Sequence, residues 1–493
     1  MKRIFFIFLI LFLAGLALLF VMEGPFFDIS RQDLRALIPA DLLVEDSWYG
    51  IYFNGDFAGY SHSLTQLKDN NKSNGYLLQN TINLTLPVFS VMQPIYAQTE
   101  VEIDSAYLLQ SARFSLHSAG YRIDGNLLRN KAGSFDMALR TPGEVINKTI
   151  PASRDIINAI SGPVSFSYVP LKKKTTLNFF DPLLNKKSTI ILENRGLQKV
   201  PVDGVMKKLY VIDMNAGGVK GILYADSKGR MVKEEFMGFS FVKGDADKLI
   251  SRRVHYAKNR DLADYFVVDP GAKPLPVNVK RLKVRVKDID SAYLAADYNQ
   301  SVVKDNDGFI VEVSSPASIV NGPSGDYRQY LGEDDFIKFN DPAMRKVVDG
   351  IVGQEKDPMK VLEKIAHWID THIAKIPTVS FPNSLDVLRL KRGDCNELSA
   401  LEIAMLRSRG IPAYVNIGLV YNEGKFYYHA WASVYVGHWI DTDPALGQVI
   451  AGARRIKLLK GFNSQFELFK VIGKIKVEII DYDQDQQSDK KIR

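Results

Sequence analysis

The chain predicts an α+β protein in three parts: an N-terminal transmembrane helix, an antiparallel β-rich domain, and a C-terminal core in which helices and strands alternate. Three observations carry this. Ile4–Met22 holds no charge and is dominated by Leu, Ile and Phe. From Trp48 to about Val268, short runs of β-type residues are punctuated by Asn-Gly and Asp-Gly turns. Beyond a proline-rich stretch at 268–276, apolar residues recur at the helical and the strand period in turn. At 493 residues the chain exceeds one ordinary core, and two or three domains are expected.

The N-terminal span follows from length and flanks. Met1-Lys2-Arg3 precedes nineteen uncharged residues, which as a helix extend about 28 Å, the thickness of a bilayer core. A secretory leader has a shorter apolar stretch and a small-residue cleavage site, and Phe20–Pro25 offers none. Residues 1–26 are therefore expected to be an uncleaved signal anchor. Lys2 and Arg3 stay inside and everything after Asp28 lies outside. No second apolar run of this length follows. The net charge of +7 comes from 63 basic and 56 acidic residues. They are scattered apart from Lys172-Lys173-Lys174, and no arginine stripe interleaves with aromatics, so no nucleic-acid partner is expected.

The region 27–268 reads mainly as strand. A short amphipathic helix, with Ser30 as cap and Leu34, Leu37 and Ile38 on one side, ends at Pro39. Tyr49–Phe53 and Phe57–Leu64 flank Asn54-Gly55, a strong hairpin signal. Tyr121–Ile123 and Asn126–Leu128 flank Asp124-Gly125 in the same way. Gly221–Ala225 and Arg230–Glu234 flank Asp226-Ser227-Lys228-Gly229. Ser188–Leu192 and Lys208–Met214 add strands, with a helical insertion at Arg154–Ile160. The region has no histidine–carboxylate cluster and no glycine-rich phosphate loop. Ligand or partner binding suits it better than catalysis.

Val268–Pro276 reads as a linker. Residues 277–339 then form a small β unit, in which Leu282, Val284 and Val286 alternate, as do Phe309, Val311 and Val313. Asp305-Asn306-Asp307-Gly308 lacks the full calcium-loop spacing and reads as a hairpin turn, and Asp481, Asp483 and Asp485 fail the same test. No metal or cofactor is expected. Residues 461–493 read as a final strand and polar tail.

Residues 340–460 form the alternating core. Asp357-Pro358 caps a helix with Val361, Leu362, Ile365, Trp368, Ile369 and Ile373 on one stripe. Pro377 and Pro382 break it, and Ser384 caps a short turn at Leu385–Leu390. A helix starting at Cys395 runs to about Arg409 and ends at Gly410 and Pro412. Strands follow at Ala413–Val420, Phe426–Val436 and His438–Thr442.

Cys395 is the only cysteine, which excludes an intrachain disulfide and a thiolate-rich zinc site. A helix start supplies unpaired N–H groups that favour a thiolate, and the Cys395 N–H can also stabilise an oxyanion on a substrate carbonyl. Period two puts His429, Trp431, Ser433 and Tyr435 on one strand face and Ala430, Ala432 and Val434 on the other. A helix on the first face brings Cys395 to His429, with Trp431 and Tyr435 as candidate walls for a substrate. Asp441 and Asp443 share a face, so either can orient the imidazole. Against this stand plainer roles: a buried cysteine is commonly packing, and Trp431 and Trp439 are by default core.

Gly393-Asp394-Cys395 leads through an apolar stretch to Arg407-Ser408-Arg409-Gly410-Ile411-Pro412-Ala413, then His429-Ala430-Trp431, then Trp439 and Asp443-Pro444. Over roughly 340–460 this order resembles the transglutaminase-like superfamily of papain-type thiol enzymes. The resemblance implies a papain-like/transglutaminase-like α+β core and a catalytic Cys395–His429–Asp443 triad, and it favours Asp443 over Asp441. The aromatic oxyanion donor of some members cannot be placed, Trp368 lying too far upstream to align with it, and the calcium sites of animal cross-linking members have no visible counterpart. The layout as a whole resembles bacterial membrane-anchored transglutaminase-like proteins, single-pass in the inner membrane with a periplasmic body. Members of the superfamily include cross-linkers, peptidases, amidases and inactive scaffolds. The expectation is hydrolysis of a peptide or protein substrate, with cross-linking and non-catalytic peptide binding as alternatives.

Overall fold

The computed structural model describes residues 44–484, except 71–72, 89–90, 105–108, 119–120, 143–144, 151–170, 182–185, 217–218, 255–266, 272–273, 316–326, 377–382, 463–467 and 469–470. The expected anchor, the amphipathic helix after it, the insertion at Arg154–Ile160 and the Pro377–Pro382 break lie outside these residues. Among the described residues no helix is long and apolar enough to cross a membrane. The chain divides between residues 261 and 262 into two compact units.

The N-terminal unit is one antiparallel sheet of fourteen strands. Its first half is β1 (Glu45–Phe53), β2 (Asp56–Asn70), β3 (Ser73–Val88), β4 (Val91–Asp104), β5 (Leu109–Ser118), β6 (Tyr121–Arg129), β7 (Phe135–Arg140) and β8 (Val145–Ile150). Its second half is β9 (Lys174–Asp181), β10 (Lys186–Val202), β11 (Val205–Ala216), β12 (Val219–Ala225), β13 (Met231–Phe236) and β14 (Phe239–Gly244). Each strand pairs with the next within its half, and β1 pairs with β14, so β8 and β9 are the two ends of the sheet. Asn54 and Gly55 take φ of 50° and 85° and close the β1–β2 hairpin as the dipeptide predicts. At the β12–β13 turn Asp226 accepts from the Lys228 and Arg230 N–H groups, each at 2.9 Å. Alternation buries Tyr49, Ile51 and Phe53 of β1 and Ile95, Ala97 and Val101 of β4. A short helix, α1 (Ala246–Ser251), is capped by Asp245 and sets Leu249 against Gly50 and Gly244.

One expected hairpin is absent. Asp124-Gly125 lies in the middle of β6, with Gly125 opposite Phe114 of β5. A Cβ at Gly125 would come within 2.0 Å of the Phe114 ring. The glycine makes room for an aromatic ring, not for a turn.

The C-terminal unit begins with β15 (Val267–Val268), which precedes the proline-rich stretch. That stretch is anchored in its own right, since Leu275 is buried and its N–H donates to the Tyr421 hydroxyl at 3.1 Å. Strands β16 (Val279–Lys287), β17 (Gln300–Asp305) and β18 (Gly308–Ser314) follow. Then come helices α2 (Pro342–Val352) and α3 (Pro358–His372), β19 (Ala374–Lys375), α4 (Ser384–Leu390), β20 (Arg392–Gly393) and α5 (Cys395–Ser408). The unit ends with β21 (Ala413–Asn422), β22 (Lys425–Tyr435), β23 (Trp439–Thr442), β24 (Arg455–Lys460) and β25 (Lys476–Gln484). A four-stranded sheet, β17-β18-β16-β25, buries Leu282, Val284, Val286, Val311 and Val313. Residues 305–308 are its hairpin turn, with Asp305 bonded to Arg285, while Asp481 and Asp483 both bind Arg281.

The central sheet runs β15-β22-β21-β24, with β23 also on β22. Helix α5 packs on β21 and β22 and is flanked by α2, α3 and α4. Asp341 and Asp357 cap α2 and α3 ahead of prolines, the second as Asp357-Pro358 predicts. Two details differ from expectation. Asn383 caps α4, because Ser384 accepts from the Lys338 N–H at 2.9 Å. Trp368 leaves the buried stripe of α3, stacking on His372 under the Lys391 ammonium.

Every residue of α5 from Cys395 to Leu406 is buried. Leu398, Leu401, Met405 and Leu406 fill space, and Ala400 and Ala404 allow close approach. Glu402 is the misfit. Its Oε1 accepts from the Thr442 hydroxyl at 3.3 Å, and its Oε2 has no hydrogen-bond partner. Burial first, then Asp443, pushes its pKa to about 8. A carboxyl raised from an unfolded value of about 4.3 leaves stability intact below that value and removes it as pH climbs towards 8. The loss is on the order of 3 kcal/mol by pH 7. Glu402→Gln should therefore match wild type near pH 4 and exceed it increasingly from pH 5 to 8 in denaturant titrations. A gain that did not grow with pH would contradict this assignment.

Candidate active site

Cys395 opens α5 beneath β22 and is 1% exposed. The helix start is secured by Glu397, whose Oε2 accepts from the Asp394 N–H at 3.2 Å, and by Ser399, whose hydroxyl donates to the Cys395 carbonyl at 2.6 Å. The Ala430 N–H is directed at the thiol, which places the sulfur against the residue next to His429. The electrostatics differ from the sequence expectation of a lowered pKa. Burial pushes the thiol well above its ordinary value, and Asp394, Glu397 and Asp443 add to this. The Ala430 N–H opposes them.

His429 and Asp443 are completely buried, with His429 Nε2 2.8 Å from Asp443 Oδ2. Asp443 sits just past β23, where its backbone exchanges two hydrogen bonds with Gln448 at 2.7 and 2.9 Å. Its Oδ1 accepts from the Leu446 N–H at 3.0 Å, and its Oδ2 also accepts from Arg455 Nη2 at 2.6 Å. Burial alone would raise this carboxyl, but His429 and Arg455 outweigh it and hold Asp443 well below the usual carboxylate range. Gly418, opposite His429 on β21, lets the chains close up here. A Cβ would meet the Ile456 carbonyl at 2.0 Å and the Trp431 ring at 2.9 Å.

The two aspartates left open by strand parity have separate partners. Asp441 accepts from the Tyr298 hydroxyl at 2.5 Å, the Ser433 hydroxyl at 2.6 Å and Asn299 Nδ2 at 3.1 Å. It also pairs with the buried Lys457 ammonium at 3.1 Å. Asp441 thus ties the 297–300 segment to the sheet, and of the two aspartates it is Asp443 that bonds His429. Trp431 is fully buried beside the imidazole, with ring centroids 6.2 Å apart. Tyr435 is not brought to the site. Six residues along β22 amount to roughly 20 Å, and Tyr435 instead packs with Tyr327 and Trp439.

Arg455, Lys457 and Glu402 were not singled out from the sequence. The signal for the first two is periodic: bases two apart on β24 answer acids two apart at 441 and 443. Glu402 carries no such signal, being one acid in an apolar helix. Among the described residues no group of three or more His, Cys, Asp or Glu side chains is arranged to hold a metal ion. A thiol, an imidazole and a carboxylate are the groups that nucleophilic acyl chemistry uses.

Two curated relatives match part of the chain. An uncharacterized protein of Haemophilus influenzae is 28% identical over 119 residues, 22% of this chain and 32% of the relative. An uncharacterized protein of Mycobacterium leprae is 29% identical over 105 residues, 19% of this chain and 37% of the relative. The match thus spans about a third of each relative's length. Among solved structures, a candidate cysteine protease from Cytophaga hutchinsonii aligns at 13% identity over 42% of this chain and 87% of that one. Its TM-score is 0.28, too slight to carry an argument. Residues 345–444, from α2 to Asp443-Pro444, match the Transglutaminase-like superfamily core: the chain carries a transglutaminase-like domain.

Proposed function

We propose that this chain is a membrane-anchored thiol acyl-transfer enzyme, cleaving peptide or amide bonds outside the cytoplasm through Cys395, His429 and Asp443. The observation that carries the reading is the buried His429–Asp443 pair at 2.8 Å, beside a strand whose Ala430 N–H faces the Cys395 sulfur. As the sulfur attacks the substrate carbonyl carbon, its proton passes to His429. The carbonyl oxygen takes the negative charge against the Cys395 N–H. His429 then returns the proton to the leaving nitrogen as the C–N bond breaks, leaving a thioester on Cys395. Water, deprotonated by His429, attacks the thioester and releases an acid and the free thiol. Asp443 holds the ring in place throughout.

Hydrolysis is favoured over cross-linking on one observation. A cross-linker admits a lysine amine along an aromatic-walled channel. Trp431 is fully buried and Tyr435 stands in a separate cluster, so these two form no such wall. The burial of the thiol supports a second reading, a non-catalytic domain that binds a peptide.

Alkylation separates these readings. Iodoacetamide should modify Cys395 near neutral pH, His429→Ala should slow it about a hundredfold, and Asp443→Ala about tenfold. A thiol indifferent to His429 would leave only the binding module. With an amide donor and a tagged primary amine, acid release should dominate; dominant tag incorporation would make the enzyme a cross-linker.

The anchor is tested separately. Protease added to the outer face of intact inner membranes should digest the body beyond about Asp28. Protection until the membrane is breached would reverse the orientation, and a mature N-terminus near residue 25 would replace the anchor with a cleaved leader.

A further inference from the structure

We propose that the outer face at the end of the β10–β11 hairpin docks on an anionic lipid bilayer: Lys199 and Lys208 take the headgroup phosphates, and Leu197, Pro201 and Met206 reach the boundary of the acyl chains. The inference stands on the N-terminal unit and is independent of the chemistry at Cys395.

Asp203 and Gly204 take φ of 50° and 77° and turn the chain tightly from β10 into β11. Behind the turn Val202 pairs with Val205, Pro201 with Met206, Val200 with Lys207, Lys199 with Lys208 and Leu197 with Tyr210. Paired residues share a face, and successive pairs alternate between faces. Val200, Val202, Leu209 and Val211 therefore point inward and join a buried cluster with Tyr224 and Val242. The other face carries Leu197, Lys199, Pro201, Met206 and Lys208. All five are exposed, Leu197 by 45% and Met206 by 59%. One exposed apolar side chain is ordinary on any surface. Here several of them bracket a pair of lysines.

That lysine pair is the anomaly. Like charges directly opposite one another across a ladder repel, and neither Lys199 nor Lys208 has an ion-pair partner among the described residues. Elsewhere on the same sheet bases meet acids of other strands: Lys68 with Glu102 at 2.6 Å, Arg113 with Glu100 at 3.1 Å and Lys243 with Glu45 at 2.8 Å. More positive charge adjoins the face. Lys207 is exposed, and so are Lys172, Lys173 and Lys174, a run tied to β10 where the Lys172 N–H donates to the Asn194 carbonyl at 2.8 Å. The acids of this stretch do not cancel it. Asp213 is taken by Arg195, which leaves Asp203 at the turn and a half-buried Glu193.

The mixture of groups selects the partner. A free phosphate or an acidic polymer would use the lysines and leave Leu197 and Met206 in water. Residues 197–208 contain no aromatic ring on which a nucleic-acid base could stack. A bilayer surface takes both kinds of group, since lysine stems lie along apolar surface while their ammonium heads stay with the phosphates.

The full chain in a Cys395→Ser background, with Met206→Cys carrying a polarity-sensitive fluorophore, can be reconstituted in vesicles of phosphatidylcholine alone or with about a third phosphatidylglycerol. A blue shift is expected in the anionic vesicles only, and it should vanish near 1 M salt, where the screening length falls to about 3 Å. Lys199→Gln together with Lys208→Gln should lower the docked-to-free ratio about thirtyfold, and Asp203→Asn should raise it several-fold. The same label at Lys131→Cys, between β6 and β7, should not respond. An equal shift in neutral vesicles, or no shift in either, overturns the inference. So does a shift that follows protein concentration at fixed lipid, which would assign the face to a second copy of the chain. Both lipids are compared on the same chain, so loss of the N-terminal anchor would alter total binding in both and leave the lipid dependence unchanged.

Discussion

The C-terminal unit is organised around the two donors on Asp443 Oδ2. His429 and Arg455 both bond this oxygen, and all three residues are buried. Burying three ionisable groups is costly unless each is paired, and removing one partner leaves an uncompensated charge. The surrounding fold follows from that constraint. The 443–448 turn must close so that Gln448 can brace the guanidinium, β24 must lie against β21 so that Arg455 can reach across, and Gly418 must lack a side chain so that the strands can meet.

A second buried ion pair lies beside the first and serves another purpose. Lys457 bridges Asp441 and Asp297, with Tyr298 and Asn299 completing the shell of Asp441. This network fixes the segment before β17 to the back of the central sheet. Strand β24 thus carries two buried cations at alternate positions, one holding the candidate triad acid and one holding structure. The same period-two alternation that sorts apolar residues in a sheet sorts these two charges to one face.

Much of this was legible in the sequence, for local reasons. The Asp-Pro cap of α3 and the apolar run of α5 are set by residues within a few positions of one another. What was not legible depended on partners distant in the chain. Asp124-Gly125 has the composition of a turn, yet the Phe114 ring on the neighbouring strand decides its role. Parity could not separate Asp441 from Asp443, because the distinction lies in Lys457 and Arg455. Tyr435 shares a face with His429 but not a neighbourhood, since alternation fixes direction and not distance. The thiol shows the limit most clearly. A helix start argues for an easy anion, whereas full burial and nearby Asp394 and Glu397 argue against one, and burial wins.

That balance gives the proposed enzyme a particular character: a fully buried nucleophile, beside an imidazole whose acid is pinned by a second donor. The central claim is that Cys395 carries the acyl group. Intact-mass analysis after brief exposure to an activated acyl ester tests it most directly. The account predicts a single adduct on the peptide containing Cys395, sensitive to hydroxylamine as a thioester is, and absent from Cys395→Ser and His429→Ala chains. No adduct, or one that survives in Cys395→Ser, would contradict it.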